Sequence, residues 1–407
     1  MAPIKKEKII DMEQLKQSIA IVEKSIIEHQ EKQKSNICRK VIHPENRNDG
    51  VFVPPKQLLL YLVRMGSFTA MPKVIPSANA NDTDVDYPSG TVTLPNFIEY
   101  CSKQLSDLPP PLKRTWTSVK AKTSTNETIR LLQWNVLSQT LGTTHDNFVQ
   151  CPEKALIWRT RRYRMLEEVA RFVPDVICLQ EVDHFRFLNK SLECLGYSGH
   201  FFPKPDSPCL YLPNNSGPDG CAIFYRTDKF TLTEVATRNI EVWNVQSNQV
   251  ALNLYLKSIS TQKEISIGTT HLKAKTGPLL MTLRNEQGQD LLRFLKDKSS
   301  NMPTIICGDF NAEPSEPVYE TMISNKDIRL KSAYQKAYNR EPKFTTWKIR
   351  EDGEHMQTLD YIFHTNETLD LLGVLDMPDE EEIGKPRLPS PAYASDHLSL
   401  VADFEWK

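Results

Sequence analysis

The 407-residue sequence lacks most of the features that mark a specialised chain. It has no apolar run near the ~20 residues that a membrane-spanning helix needs, and its mean hydropathy is −0.45. An excess of charge of one sign is missing too: 50 Lys and Arg stand against 51 Asp and Glu. A protein that tracks a long polyanion carries a basic excess, so these totals argue against an extended nucleic-acid groove while allowing a local basic pocket. None of the eight cysteines (Cys38, Cys101, Cys151, Cys178, Cys194, Cys209, Cys221 and Cys307) forms a C-x-x-C pair. Cys178 and Cys307 lie inside apolar runs, and the set is expected to be buried and reduced rather than a zinc site or a disulfide framework. There is no G-x-x-x-x-G-K-S/T loop, no kinase set and no leucine-rich or other repeat, which argues against NTP-driven phosphoryl transfer and against a solenoid. The opening residues MAPIKKEKIIDMEQL mix acids with bases and hold no apolar stretch. They read neither as a secretory signal nor as an Arg-rich mitochondrial presequence. A cytoplasmic chain is expected, and forms with other N-termini could be mitochondrial.

What is present falls into three zones. Within residues 1–35, Met12, Leu15, Ile19, Val22 and Ile26 alternate steps of three and four, the stripe of an amphipathic helix or a short dimer seam. Residues 36–127 are rich in Pro, Asn, Asp and Ser and read as a mostly disordered linker, with helical islands at KQLLLYLVRM and PNFIEYCSKQL. Residues 128–407 read as a folded domain. Strand-like runs (IRLLQWNVL, DVICLQEV, DGCAIFYR, QVALNLYL, EISIGTTHL, TIICGDF, TLDYIFH, HLSLVADF) interleave with helical stretches near 153–172, 278–298 and 316–323. Few of them follow strict strand–helix alternation, which points to mixed or antiparallel sheets, two of them stacked with helices outside.

Several of these runs end in a polar group: Asn135, Glu181, His271, Asp309 with Asn311, Asp360, and Asp396 with His397. An apolar run that ends this way places the group at a sheet's rim. Burying so many polar groups separately would be costly, so a shared cleft is expected. Carboxylates with amides and water suit Mg²⁺, and no Cys–His spacing offers zinc a home. One carboxylate can hold the ion while another takes a proton from the attacking water, with a histidine stabilising charge on phosphate oxygens.

The motifs QWNVL, CLQEVDHF, GDFNAEPSE, TLDYIF and SDHLSLVADF, in this order, resemble the endonuclease/exonuclease/phosphatase superfamily. The text between them, including LGYSGHFFPKPDSPC, NNSGPDGCAIFY, THLKAKTG and FTTWKIR, is similar to the deadenylase-like branch of that superfamily. The resemblance covers residues 128–407. It implies an α/β fold of the deoxyribonuclease I type, a four-layered sandwich of two β-sheets flanked by helices. It also implies that Glu181 holds Mg²⁺, with Mn²⁺ able to substitute, that Asn135 lies near the ion's water shell, and that Asp396 lies beside the metal. Asp309 would orient or deprotonate the water, and Asn311 would fix the nucleophile and phosphate. His397 would contact the scissile phosphate, Asp360 would orient that imidazole, and His271 would join the catalytic set.

The activity implied within that branch is removal of the 2′-phosphate from NADP⁺ or NADPH, tied to circadian and metabolic control. The implied pocket comprises Lys204, Pro205, Asp206, Asn248, His271, Leu272, Lys273, Ala274 and Lys275, together with Phe310 beside Asp309. Such a dinucleotide carries about four negative charges, and Lys204, Lys273 and Lys275 could hold it without a long basic groove. Two departures stand out. Position 275 is Lys where the family tends to have Arg, which replaces a planar fork by a point charge. Asp206 stands where an aromatic is usual, removing a stacking surface and adding a negative charge. A poly(A)-specific 3′-exoribonuclease acting on RNA, or a regulatory binding protein without catalysis, are the competing readings. The catalytic domain is expected to be monomeric.

Overall fold

In the segment Val176–Val182, Val176 and Cys178 face one hydrophobic interior while Ile177 and Leu179 face another. Side chains alternate along a strand, so a run that is apolar on both faces belongs to a strand packed on both sides. The same split recurs at Leu131 and Leu132, and at Val401 and Ala402. In a second sheet, Ile305 and Cys307 join the interior shared with Cys178, and Ile306 joins a third cluster with Phe310, Tyr361 and Phe363. Three apolar layers separate four layers of structure: helices, sheet, sheet, helices.

The computed structural model describes residues 92–122, 127–144, 148–299 and 302–407. The expected segment 1–35 and the island KQLLLYLVRM lie outside the described residues. The strands, in chain order, are β1 (Trp116–Ser118), β2 (Thr128–Asn135), β3 (Val176–Val182), β4 (Tyr197–Pro203), β5 (Gly220–Arg226), β6 (Phe230–Val242), β7 (Val245–Ser258) and β8 (Glu264–His271). They continue as β9 (Thr304–Asp309), β10 (Leu330–Ser332), β11 (Thr346–Arg350), β12 (Gly353–Gln357), β13 (Asp360–Thr365), β14 (Leu369–Leu375) and β15 (Leu400–Trp406). The principal helices are α1 (Leu94–Gln104), α2 (Trp158–Phe172), α3 (Phe185–Glu193), α4 (Pro278–Ser299) and α5 (Pro317–Ser324). No described helix is long and apolar enough to cross a membrane.

One sheet has the order β1-β14-β15-β2-β3-β5-β4, the other β10-β13-β9-β8-β7-β6, and β11–β12 is a separate hairpin. Each sheet contains one parallel pair, β2 with β3 and β8 with β9; the remaining pairs are antiparallel. A parallel pair needs a crossover, supplied here by the segments bearing α2 and α4. The consequence is functional: both parallel pairs end at the same rim, with Asn135 opposite Gln180 and His271 opposite Asp309.

The folded body begins before the expected boundary at Thr128. The proline-rich stretch before it is pinned by long-range contacts that composition does not reveal. Phe97, Cys101, Leu105 and Leu112 are buried in the helix-side core. Thr93 caps α1 through the amide of Asn96, β1 pairs with β14, and Arg114 donates to the carbonyls of Asp376 and Ser399. The helix expected over 153–172 is interrupted at Ile157, whose backbone is extended (φ −69°, ψ 124°), so a short helix Glu153–Leu156 precedes α2. The described cysteines are free thiols, with Cys101, Cys178, Cys209, Cys221 and Cys307 buried.

Two stability outcomes are expected. His364 on β13 is fully buried and packs on Phe404, and burial together with the nearby Lys336 cation lowers its pKa to about 3. The unfolded chain therefore binds a proton there at higher pH than the folded chain does. The neutral ring's contribution is complete above the unfolded value of about 6.5 and is lost as pH falls toward 3, at about 1.4 kcal/mol per pH unit. Urea unfolding at pH 7.5 and 5.5 should show a smaller acid loss for His364→Phe than for the wild type; equal losses would contradict this. Gly308 has φ +150°, and a Cβ there would lie 2.0 Å from the carbonyl oxygen of Thr270. Gly308→Ala should cost about 3 kcal/mol or more, whereas Gly353→Ala, at φ +132° with no atom within 4 Å, should cost about 1 kcal/mol in the same urea assay.

Candidate active site

At the rim where β2, β3, β8 and β9 end and β13 begins, side chains from both sheets meet. Asn135 Nδ2 donates to Oε1 of Glu181 at 2.9 Å and to Oδ2 of Asp309 at 2.8 Å. Oδ1 of Asn135 accepts from the amide of Leu137, which fixes the carboxamide's orientation. Glu181 (φ +56°) and Asn311 (φ +50°) both sit in the left-handed region, sparsely populated for residues with a Cβ and frequent where side chains are held for function. Glu181 also accepts from the amide of Ser138 at 3.1 Å.

Asp309 is buried between three neighbours. Its Oδ1 accepts from the Asn311 amide at 2.8 Å, and its Oδ2 lies 3.6 Å from Nε2 of His271 and 3.8 Å from Nε2 of His397. Burial raises its pKa to about 6 against the pull of His397, with Asp360 adding to the rise. His397 is also buried, which disfavours its charge, but Asp360, Asp309 and Asp396 outweigh this and lift it to about 9. Its Nδ1 is 2.8 Å from Oδ2 of Asp360. Asp360 is held in turn by Thr345 Oγ1 at 2.6 Å and Gln133 Nε2 at 3.2 Å. His271 moves the other way. Burial, then the cations Lys204, His397 and Lys273, push it well below the usual range, and its buried Nδ1 has no hydrogen-bond partner.

Among the described residues, two side-chain groups could hold a divalent cation, Glu181–His271–Asp309 and Asp309–Asp360–His397, each with its ligand atoms within 4.8 Å of one another. The first fits the donor chemistry better. Its acids are supported by amide donors, and its imidazole is neutral. In the second, His397 carries a proton that competes with a cation.

Cationic groups border this rim. Lys204 is buried and donates to Asp219 at 2.6 Å; burial opposes its charge, but Asp219 and Glu181 raise its pKa. Lys273 is lowered to about 8 by burial and by the nearby charges of Lys204 and Lys275. Asn248 reads the backbone of Asp206 twice, donating to its carbonyl at 2.6 Å and accepting from its amide at 2.8 Å. The Asp206 carboxylate accepts from the Tyr211 hydroxyl, so part of its charge is engaged within the loop. Pro205, Ala274 and Lys275 are exposed at the margin.

Two expected site residues, Phe310 and Leu272, are placed otherwise, and a third, Asp396, lies at the site, its Oδ2 3.9 Å from Nε2 of His397, with its charge already paired. The Phe310 side chain is in the core against Tyr361 and Phe363, edge-on at 5.8 and 5.4 Å, because it points to the opposite face from Asp309. Leu272 is fully buried in the same cluster and presents only its backbone, whose carbonyl accepts from Asn311 Nδ2 at 3.1 Å. Asp396 belongs to neither group of candidate metal ligands. Its carboxylate accepts from Lys348 Nζ at 2.5 Å, and Lys348, with His397 and Arg350, holds it well below the usual carboxylate range against burial. Sequence reasoning also missed residues that build the site from behind. Thr345 and Gln133 orient Asp360. Buried Arg161 donates to the carbonyls of Val136, Leu137 and Ala394, tying the loop after β2 to the stretch that carries His397. Ser395 Oγ donates to the carbonyl of Asn135 at 2.7 Å.

Comparison with known proteins follows the same lines. The endonuclease/exonuclease/phosphatase family matches residues 132–397. Nocturnin of Drosophila melanogaster is 47% identical over 87% of this chain, which spans 62% of that protein's length. Human nocturnin is 44% identical over 76% of this chain and 73% of its own length. The solved structure of the human nocturnin catalytic domain with bound sulfate anion superimposes with a TM-score of 0.61 at 38% identity, covering 72% of this chain and 97% of that one. With its two mixed sheets and helical flanks, and with nocturnins as relatives, the chain belongs to the endonuclease/exonuclease/phosphatase family of hydrolases.

Proposed function

We propose that this hydrolase removes the 2′-phosphate of NADP⁺ and NADPH in the presence of Mg²⁺, giving NAD⁺ or NADH and inorganic phosphate. The observation that carries the reading is the meeting of Asn135, Glu181, His271, Asp309, Asp360 and His397 at one rim, bordered by Lys204 and Lys273, in a chain of net charge −1. Such a site offers a compact cationic wall for a small polyanion without a basic surface for a long one. The similarity to nocturnins supports the same substrate, and the sulfate in the human catalytic domain is an anion of phosphate's shape.

Each residue has a task in this reading. Glu181 would hold Mg²⁺, which when bound would supply charge neutralisation at the phosphate oxygens, and Asp309 is left to take the proton. Asp309 accepts the proton of the attacking water, a role that suits a buried carboxylate whose pKa is raised toward neutrality. Asn311 donates a hydrogen bond that orients water and phosphate. The His397 imidazolium, kept protonated by Asp360, faces the charge that grows on the phosphate. Lys204, Lys273 and Lys275 bind the rest of the dinucleotide. Asp206 adds a negative charge at the margin, partly absorbed by Tyr211.

The deciding assay incubates the purified chain and Mg²⁺ with NADP⁺, NADPH and an A-tailed RNA in parallel. Phosphate release with NAD⁺ or NADH formation, and intact RNA, is the expected result. Shortening of the RNA without phosphate release would replace this reading by the 3′-exoribonuclease, and no reaction with any of the three would favour a binding protein. Within the active enzyme, Glu181→Gln should abolish turnover and the thermal stabilisation given by added Mg²⁺. Asp360→Asn should lower kcat by ~10²–10⁴-fold with little change in KM, since the imidazole loses its anchor and its charge partner; a change in KM alone would assign Asp360 to binding instead.

A further inference from the structure

The crossover helix α4 turns Arg284 and Gln287, three residues apart and both buried, toward the chain that leaves β8. Nη1 of Arg284 donates to two carbonyl oxygens, those of Lys273 at 3.0 Å and Lys275 at 2.7 Å. Its Nε and Nη2 donate to Oε2 of Glu316 at 3.0 and 2.6 Å. Oε1 of Gln287 accepts from the Lys273 amide at 3.0 Å. Lys275 has φ +80°, a conformation that a residue with a Cβ rarely adopts, and capture of its carbonyl from the protein interior holds it there. At the near end of the same stretch, the Leu272 amide donates to the Asp309 carbonyl at 2.9 Å and the Asn311 side chain donates to the Leu272 carbonyl. Glu316 lies on the stretch that follows Asp309 and Asn311. One guanidinium therefore joins the segment that carries the border lysines to the segment that carries the proton acceptor.

We propose that Arg284 is a positioning residue for anion binding: it fixes Lys273 and Lys275 relative to Asp309 and Asn311 without touching the substrate. The inference rests on the reading of these lysines as the dinucleotide-binding groups. A buried cation is costly unless its donors are met, and here the planar fork meets the carbonyls of Lys273 and Lys275 and the carboxylate of Glu316. Lysine keeps the charge but has neither the fork nor the reach to serve these acceptors together. Loss of the clamp should let the lysine segment relax, while Asp309 stays held by Asn135 and His397 by Asp360. The defect should therefore appear in binding more than in turnover.

The test uses the full chain with Arg284→Lys, and Arg293→Ala on the exposed side of α4 as control. Calorimetry measures affinity for inorganic phosphate, and steady-state kinetics gives kcat and KM for NADP⁺ with Mg²⁺. Arg284→Lys is expected to weaken phosphate binding about tenfold, raise KM by a similar factor and leave kcat within about threefold, as loss of charge-assisted hydrogen bonds to the segment implies. Arg293→Ala should do neither. Lower thermal stability with phosphate affinity and KM both within about twofold of wild type would overturn the proposal, since that is what a purely structural arginine gives. Should Arg284→Lys not fold, Glu316→Gln keeps the shape and removes the charge that Arg284 pairs with. It is expected to weaken phosphate binding about threefold, and unchanged binding overturns the proposal. A wild type that binds phosphate but does not hydrolyse NADP⁺ would strike the substrate assignment alone, because the phosphate comparison still reads the clamp.

Discussion

One carboxamide group, its two N–H donors divided between two sheets, sets the geometry on which the rest depends. Asn135 leaves the seven-stranded sheet and donates both to Glu181 of its own sheet and to Asp309 of the other. The His397–Asp360 pair makes a second cross-sheet tie, between the approach to β15 and the start of β13. Neither sheet alone contains the site. The sandwich brings the two rims together, and these hydrogen bonds fix the rims in register at ångström scale. Buried polar contacts of this kind are costly if half satisfied, and here each acid has several donors, so the cluster is rigid before any ligand arrives.

The electrostatic pattern follows from that enclosure. Two imidazoles each lie within 4 Å of one carboxylate in a buried place, and burial acts on each group with the sign of its charge. Asp309 is raised and His271 lowered. His397 is carried upward against burial, because three carboxylates surround it. The result separates a proton acceptor from a cation a few ångströms away, which is the division of labour that phosphoester hydrolysis needs. Similar sites on this fold serve several substrates, and it is the border of lysines, with its balanced overall charge, that inclines this chain toward a small phosphorylated molecule.

Much of this was legible in the sequence wherever chemistry coincided with local pattern. Strand-like runs that end at Asn135, Glu181, His271, Asp309 and Asp360 placed those residues at a rim, because an apolar run has few other ways to stop on a charged group. The two-sheet architecture followed from many strand-like runs, few of them in strict strand–helix alternation. Four features did not follow. Phe310 and Leu272 lie next to site residues in sequence but point into the core, an outcome set by local backbone turns that composition does not record. Asp396 is taken by Lys348 from a hairpin 48 residues away, and such pairings are invisible to local reading. Residues 92–122 look like a linker by proline content apart from the helical island PNFIEYCSKQL, which α1 bears out, yet the few apolar side chains there, Phe97, Cys101, Leu105 and Leu112, suffice to dock the segment. The strands β1, β4, β6, β10, β11, β12 and β14 were not read: β1 and β10 have only three residues, β6 is an edge strand with mixed exposure, and β14 follows a tight turn with little alternation.

The supporting layer was the least legible part and is where the structure adds most. Arg161 and Arg284 are both buried guanidiniums that hold backbone carbonyls of site-bearing stretches, one behind His397 and one behind the lysines. Nothing distinguishes them in sequence from surface arginines on amphipathic helices. The central claim is that acids of two sheets form one cation site. It is tested most directly by a crystal of the chain soaked in Mn²⁺ and examined by anomalous scattering. A single strong peak bounded by Glu181, His271 and Asp309 is the result this account requires, and a peak elsewhere, or none at saturating Mn²⁺, would contradict it.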